Sequence, residues 1–136
     1  MSRAGSRGSD RTATLLALGL ASALGGSGVV HLVAPEVFTA TVPPPLPAGA
    51  TVLVSGVVEL AVAALLVAPR TRPLGGWAAA VTLVGVFPAN VYSALTGGWD
   101  GGPGPLGEPW VAWARLPLQV PLVWAALRVA RGRWWR

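Results

Sequence analysis

Four polar side chains interrupt long apolar stretches of this sequence, and each interrupts a different stretch. They are His31, Glu59, Asn90 and Arg115. A lone carboxylate or guanidinium in hydrocarbon is costly, so such a group is expected to be paired, hydrated or neutral. Ionisable residues at these positions commonly mark ligand sites or proton paths. The opposite charges of Glu59 and Arg115 therefore predict that these two side chains meet; otherwise Glu59 is expected to be protonated.

Three of these residues have a second polar residue one helical turn away. The pairs are Ser27–His31, Ser55–Glu59 and Arg115–Gln119. Residues four positions apart lie on the same face of a helix. We expect these faces to point toward one another, forming either a ligand pocket or a polar cluster that only fixes the helices. The candidate pocket residues are His31, Ser55, Glu59, Asn90, Tyr92, Arg115 and Gln119.

The composition places these residues in a membrane. Hydrophobic residues make up 53% of the 136 residues and charged residues only 11%. A soluble domain usually carries about 25% charged residues, so this chain lacks the surface that water requires. We therefore predict an all-α, multi-pass protein of the plasma membrane, with the lipid bilayer as its main partner. The net charge of +5 does not predict a nucleic-acid partner, because the basic residues flank apolar segments.

Four stretches are long enough to cross a bilayer, which requires roughly 20 helical residues. The sequence thus predicts a four-transmembrane-helix bundle in a single domain, residues 13–130, with a basic tail at each end of the chain. The predicted spans are about 13–34, 51–69, 75–96 and 110–130, and the predicted tails are 1–12 and 131–136.

Arginines set the predicted orientation of this bundle. Nine of the ten basic residues fall on one side of the four spans, whereas the loops at about 35–50 and 97–109 carry none. Basic residues concentrate on the cytoplasmic side of membrane proteins, so both termini are predicted to be cytoplasmic and the polar pocket to face outward. Tryptophans at both predicted interfaces agree with this orientation. They are Trp99, Trp110 and Trp113 outside, and Trp77, Trp134 and Trp135 inside.

The N-terminal segment has a second interpretation. Three arginines, an apolar run and the triplet Ala21-Ser22-Ala23 also fit a secretory signal peptide with its cleavage site. The apolar run continues past the triplet as far as Val33, which favours a membrane span. Two pairs of small residues, Ala21/Gly25 and Ser22/Gly26, have the spacing that allows close helix packing in membranes.

A set of short motifs runs along the chain. They are His31 with Pro35-Glu36-Val37-Phe38, then Val42-Pro43-Pro44, Leu46-Pro47, Ser55-Gly56-Val57-Val58-Glu59 and Phe87-Pro88-Ala89-Asn90. Together they resemble the DoxX-like family of small bacterial integral membrane proteins, over residues from about 25 to 130. Leu32 departs from the aromatic residue usual after the histidine. The resemblance implies a four-helix membrane bundle with an outer-loop motif, here Pro35, Glu36, Phe38, Pro43, Pro44 and Pro47.

The resemblance also implies a loose link to membrane redox complexes, because some relatives are subunits of a thiosulfate–quinone oxidoreductase. The leading hypothesis is an accessory subunit or small-ligand binder, with quinone as the candidate cofactor and other membrane or redox-complex proteins as candidate partners. No catalytic residue is assigned, and one histidine without cysteine does not predict a metal site. The alternatives are a structural or assembly protein without a ligand, and a small proton-coupled transporter that uses Glu59.

Overall fold

The computed structural model describes residues 3–100, 102 and 104–132, with side chains described from residue 11 onward. These residues form five α-helices and one 3-10 turn and contain no strand, which confirms the all-α prediction. The elements are α1 (Arg3–Val33), α2 (Glu36–Thr39), α3 (Ala48–Val67), α4 (Arg72–Leu95), the 3-10 turn (Gly104–Gly107) and α5 (Pro109–Ala130).

Within the described residues, three helical segments are long and apolar enough to cross a membrane. They are Arg11–Val33, Ala48–Val67 and Arg72–Leu95. The 22-residue α5 is equally long, but Arg115, Gln119 and its internal prolines make it less apolar. Four main helices and three membrane-spanning candidates are therefore established, and the fourth span stays a prediction.

The structure describes more of the predicted N-terminal tail than of the predicted C-terminal tail. Helix α1 begins at Arg3, so most of the predicted tail 1–12 is the first part of this helix. The helix continues through Ala21-Ser22-Ala23 to Val33 without a break. Most of the predicted tail 131–136, including Trp134 and Trp135, lies outside the described residues.

The four long helices form a bundle in which neighbours are arranged around a square. Helix α1 packs along α3, and α4 packs along α5; α3 also lies beside α4, and α1 beside α5. Helices α3 and α5 are therefore diagonally opposite. We call the end that carries α2 and residues 40–47 and 96–108 the capped end. The opposite end, which carries the link at residues 68–71, is the arginine end.

The interior divides into an apolar half and a polar half. The buried apolar side chains of the main cluster come from the half of each helix nearest the arginine end, and many are alanines, which lets the helices approach closely. The cluster consists of Ala17, Leu20, Ala21, Leu24, Val62, Ala63, Leu66, Ala79, Ala80, Leu83, Ala125, Ala126 and Val129. The buried polar residues of the pocket prediction lie in the other half, toward the capped end.

Glycines fix the crossing of α1 and α3. A Cβ placed on Gly28 would lie 2.8 Å from the Gly56 carbonyl oxygen, so the two backbones touch at this point. Gly25 faces Ala63 on α3, as the Ala21/Gly25 spacing predicts. The Ser22/Gly26 prediction is wrong for this fold, because both residues are exposed on the opposite face of α1.

The outer surface of the bundle is strongly apolar. Val81 is 70% exposed, Val120 71% and Leu15 71%. Water would penalise so many exposed aliphatic side chains, whereas lipid tails accept them. This surface agrees with a bilayer environment for the helices.

The side chain of the first residue of α4 caps the last turn of α3. Arg72, which is buried, donates from Nε to the Leu66 carbonyl at 3.0 Å and from Nη2 to the Val67 carbonyl at 3.2 Å. Its Nη1 also donates to Thr14 Oγ1 on α1 at 3.2 Å. The last carbonyls of a helix have no partner within the helix, so these bonds satisfy them and join three helices.

Replacing Arg72 with glutamine is expected to lower the thermal stability of the purified protein. Hydrogen bonds from a charged group contribute about 1.5–3 kcal/mol each when net effects are counted, and glutamine cannot reach all three acceptors. The matched control is Arg70→Gln, since Arg70 is exposed two residues earlier. Unfolding temperatures in mild detergent measure the difference. Equal values for the two variants would contradict the capping role of Arg72.

Candidate functional site

Glu59 is buried at the centre of the polar half of the bundle. It is 4% exposed and lies on the face of α3 that packs against α1. The Ser55 hydroxyl, one turn earlier, donates to Glu59 Oε1 at 3.0 Å. Glu59 Oε2 accepts no hydrogen bond from the described residues and lies 3.6 Å from His31 Nδ1. The carboxylate thus has one satisfied oxygen and one oxygen with only an electrostatic neighbour.

His31 occupies the last turn of α1 and is also buried, at 8% exposure. Its Nδ1 lies 2.7 Å from the Ser27 carbonyl oxygen, a geometry in which Nδ1–H donates to that carbonyl. When the imidazole is protonated, its positive charge faces Glu59 at ion-pair distance. The close approach of Gly28 to Gly56 permits this pairing, because a side chain on Gly56 would strike the Cβ of His31 at 2.7 Å.

Aromatic rings extend this pair toward the capped end. The Phe38 ring of α2 stacks on the His31 ring with centroids 3.9 Å apart and planes 10° from parallel. The Trp99 ring follows at 4.7 Å from Phe38. The Arg115 guanidinium lies over the Trp99 ring, with its central carbon 4.7 Å from the ring centroid. We call Glu59, His31, Phe38, Trp99 and Arg115 the column.

Trp99 enters the column because of the turn that precedes it. Gly97 and Gly98 have φ values of 96° and 106°, and the Gly98 N–H donates to the Ser93 carbonyl at 2.8 Å to end α4. Such positive φ values suit glycine, which has no Cβ to clash. The turn sends the chain back over the bundle, where Trp99 is 3% exposed and donates its indole N–H to the Val37 carbonyl.

A second polar group joins α4 to α5. The Asn90 side-chain amide donates to Gln119 Oε1 at 3.3 Å, and Gln119 donates in turn to the Leu83 carbonyl. Gln119 lies one turn after Arg115 on α5, so this group lies near the Arg115 end of the column. Together the two groups draw polar side chains from all four long helices into one half of the bundle.

Residues 20–130 match a family described as a domain of unknown function (DUF8561). The chain belongs to this family. No curated protein and no solved structure matches it. The family match covers every member of the column, and it assigns no activity to any of them. The resemblance to the DoxX-like family therefore stays a prediction.

The predicted contact between Glu59 and Arg115 is wrong. The two residues lie on α3 and α5, which are diagonal to each other in the bundle, and the aromatic rings of the column separate them. Glu59 instead faces His31, because α1 is the helix that packs most closely on α3. The side chains of opposite charge are thus at the two ends of one column rather than in one pair.

The other predicted pocket residues differ in their surroundings. Ser55, Asn90 and Gln119 make the hydrogen bonds given above. Tyr92 is half-buried, and among the described residues its phenol makes no hydrogen bond; its carbonyl accepts one from Thr96 at the end of α4. The Tyr92 side chain therefore adds no hydrogen bond to the polar half among the described residues.

The six residues of the predicted outer-loop motif all lie at the capped end, but only Phe38 reaches the column. Pro35 precedes α2 and Pro47 precedes α3, so both mark helix starts. Pro43 and Pro44 belong to the turn between these helices, and Glu36 is exposed. The prolines thus shape the segment that holds Phe38 over His31.

Sequence reasoning missed the role of Trp99. The sequence predicts that Trp99 lies at the membrane interface with Trp110 and Trp113, which are 66% and 53% exposed. Trp99 is buried instead. The adjacent Gly97-Gly98 pair is the only local signal for this difference, because a turn with positive φ values can reverse the chain.

Proposed function

We propose that this protein is a four-span protein of the plasma membrane, with both termini in the cytoplasm and the capped end facing outward. The arginine distribution supports this orientation, since nine arginines flank the spans on one side and none lies in the two loops at the capped end. Helix α5 supplies the fourth span. Its Gln119 is buried and its Arg115 half-buried, so its least apolar side chains face the bundle rather than lipid.

Single cysteines test this orientation cleanly, because the chain contains no cysteine. Asp100→Cys at the capped end is expected to react with a membrane-impermeant maleimide in intact cells. Arg70→Cys at the arginine end is expected to react only after lysis. Both positions are exposed, so burial does not explain a difference. The reverse pattern would contradict the proposed orientation and the outward site.

We also propose that the polar half of the bundle binds a ligand. The observation that carries it is Glu59 Oε2, a buried carboxylate oxygen that accepts no hydrogen bond from the described residues. Leaving such an acceptor unsatisfied costs about 1–3 kcal/mol or more, and a ligand hydroxyl that donates to it would recover this free energy. A quinol head group has such a hydroxyl, and its flat ring suits a site next to Phe38 and Trp99.

In this proposal the protein acts as an accessory subunit or quinone-binding partner of a membrane redox complex, without catalysis of its own. The resemblance to the DoxX-like family supports the redox link, and the buried carboxylate supports the ligand. The column also supports a second candidate, a structural or assembly role. Its contacts tie α1, α2, α3 and α5 together at the capped end, which would stabilise the bundle without any ligand.

A thermal-shift titration with a short-chain quinol distinguishes these two functions. Quinol at about 100 times its dissociation constant is expected to stabilise the wild type by about 2.7 kcal/mol. Glu59→Gln is expected to lose most of this gain relative to its own ligand-free baseline, because a neutral amide is a weaker acceptor. Glu36→Gln is the matched control, since this carboxylate is exposed at the same end of the bundle.

The titration has three possible outcomes, and each leads to a different conclusion about the quinol. A gain in the wild type and in Glu36→Gln, but not in Glu59→Gln, supports a quinol bound at Glu59. Equal gains in all three proteins mean that the quinol binds elsewhere. No gain in the wild type contradicts the quinol proposal and leaves the structural role of the column as the better account.

A further inference from the structure

One end of the column carries the Arg115 guanidinium, and the other end carries the Glu59 carboxyl group. Arg115 is half-buried on α5, six residues after the start of this helix at Pro109. Side chains on a helix lean toward its N-terminus, so Arg115 leans toward the capped end. There its guanidinium lies against Trp99 with 4.7 Å between its carbon and the ring centroid.

Trp99 holds the guanidinium in a fixed position. The ring is 3% exposed, it donates to the Val37 carbonyl, and it contacts the Phe38 ring. A ring that is fixed in this way provides a rigid surface for the cation. The conformational entropy that a long arginine side chain would lose on binding a ligand has therefore been lost in part already.

The cation–π contact with Trp99 takes none of the guanidinium N–H groups into a hydrogen bond. Among the described residues, no carboxylate lies within ion-pair distance of Arg115 and no acceptor takes a hydrogen bond from it. The nearest acidic residues in sequence, Asp100 and Glu108, are exposed and make no ion pair with it. A half-buried cation with unused donors is costly at membrane depth, so an anionic partner would stabilise it.

We propose that Arg115, held on Trp99, is a binding site for a phosphate group at the capped end of the bundle. The planar guanidinium edge matches two phosphate oxygens with parallel N–H···O bonds, which a lysine cannot reproduce. The phosphate comes either from the head group of a phospholipid or from a free small molecule. This site is separate from the proposed quinol contact at Glu59, since the rings of Phe38 and Trp99 lie between them.

Binding measurements in a phosphate-free maltoside detergent test this site and identify the source of the phosphate. One arm adds phosphatidylglycerol, with diacylglycerol of the same chain length as the matched lipid without phosphate. The other arm adds sodium phosphate, with sodium chloride at equal ionic strength as its control. Native mass spectrometry counts the bound lipid, and the shift of the unfolding temperature with concentration gives each affinity.

The wild type is expected to bind phosphatidylglycerol in preference to diacylglycerol, or inorganic phosphate in preference to chloride, or both. Arg115→Gln is expected to weaken the preferred binding about tenfold to a hundredfold, the effect of losing charge-assisted hydrogen bonds. Arg115→Lys keeps the charge and the fold but loses the bidentate geometry, so an intermediate loss is expected. Arg70→Gln, at the arginine end, is expected to bind like the wild type.

Each result decides the proposal. Lipid binding without binding of inorganic phosphate identifies a head-group site, whereas binding of inorganic phosphate, with or without the lipid, identifies a site for free phosphate compounds. If the wild type prefers neither phosphate form to its control, the proposal is wrong. It is also wrong if Arg115→Lys and Arg115→Gln both bind with wild-type affinity, or if Arg70→Gln loses as much affinity as they do.

Discussion

The double variant Glu59→Gln/His31→Gln is expected to be considerably more stable than the sum of the two single losses implies. Glu59 and His31 are both buried, and Glu59 Oε2 lies 3.6 Å from His31 Nδ1. Removing one partner of a buried pair costs roughly 3–5 kcal/mol, because the other is left without compensation. Removing both leaves neither stranded, so a coupling of about 0.5–3 kcal/mol is expected. Unfolding in mild detergent measures all four proteins.

A second cycle, between Glu59→Gln and Arg115→Gln, is the control for the first. These residues belong to diagonal helices and do not contact each other, so their losses are expected to add within about 0.3–0.5 kcal/mol. Coupling in this cycle together with additivity in the first would show that Glu59 pairs with Arg115 rather than with His31. Additivity in both cycles would mean that Glu59 is paired with neither His31 nor Arg115.

Replacing Gly76 with alanine is expected to disrupt the crossing of α4 and α5. The added Cβ would clash with the Ala130 nitrogen and would lie 2.7 Å from the Ala126 carbonyl oxygen. These are backbone atoms of α5, so no side-chain rotation relieves the clash and the helices must separate. Overpacking of this kind costs about 1–3 kcal/mol and occasionally more, and a backbone clash belongs at the upper end of that range.

The same helix provides a matched control for this prediction. Gly85→Ala adds the same methyl group where no other atom lies within 4 Å. Alanine is favoured over glycine inside a helix by about 0.5–1 kcal/mol, so this variant is expected to be as stable as the wild type or slightly more stable. Unfolding temperatures of the two variants in the same detergent give the comparison. A Gly76→Ala protein as stable as Gly85→Ala would show that α4 and α5 do not cross as described.

The sequence determined the helical architecture because lipid leaves the backbone few choices. In hydrocarbon every N–H and C=O must be bonded within the chain, so long apolar segments become helices. This is why the predicted spans lie within three residues of α3, α4 and α5 at both ends. The burial of His31, Glu59 and Gln119 follows from the same rule, since polar side chains in apolar segments turn away from lipid.

The partner of Glu59 was decided by tertiary structure alone. His31 and Arg115 both lie within a few turns of the same end of the bundle, and distance along the helices does not choose between them. The choice depends on which helices are neighbours, and this depends on backbone contacts such as that between Gly28 and Gly56. Once α1 lies against α3, and α5 occupies the diagonal position, His31 faces Glu59 and Arg115 is too far away.

Tertiary structure also decided the burial of Trp99 and Arg72, which lie at opposite ends of the bundle. A tryptophan in a loop and an arginine at a helix start are both typical of membrane interfaces, so residue type alone does not predict the burial of either. Gly97 and Gly98 turn Trp99 over the bundle, where the Val37 carbonyl accepts its N–H. The tight link between α3 and α4 directs Arg72 onto the carbonyls of Leu66 and Val67. Residue type sets the free energy of burial, but only the packed chain supplies the hydrogen-bond acceptors that make the burial of these two side chains favourable.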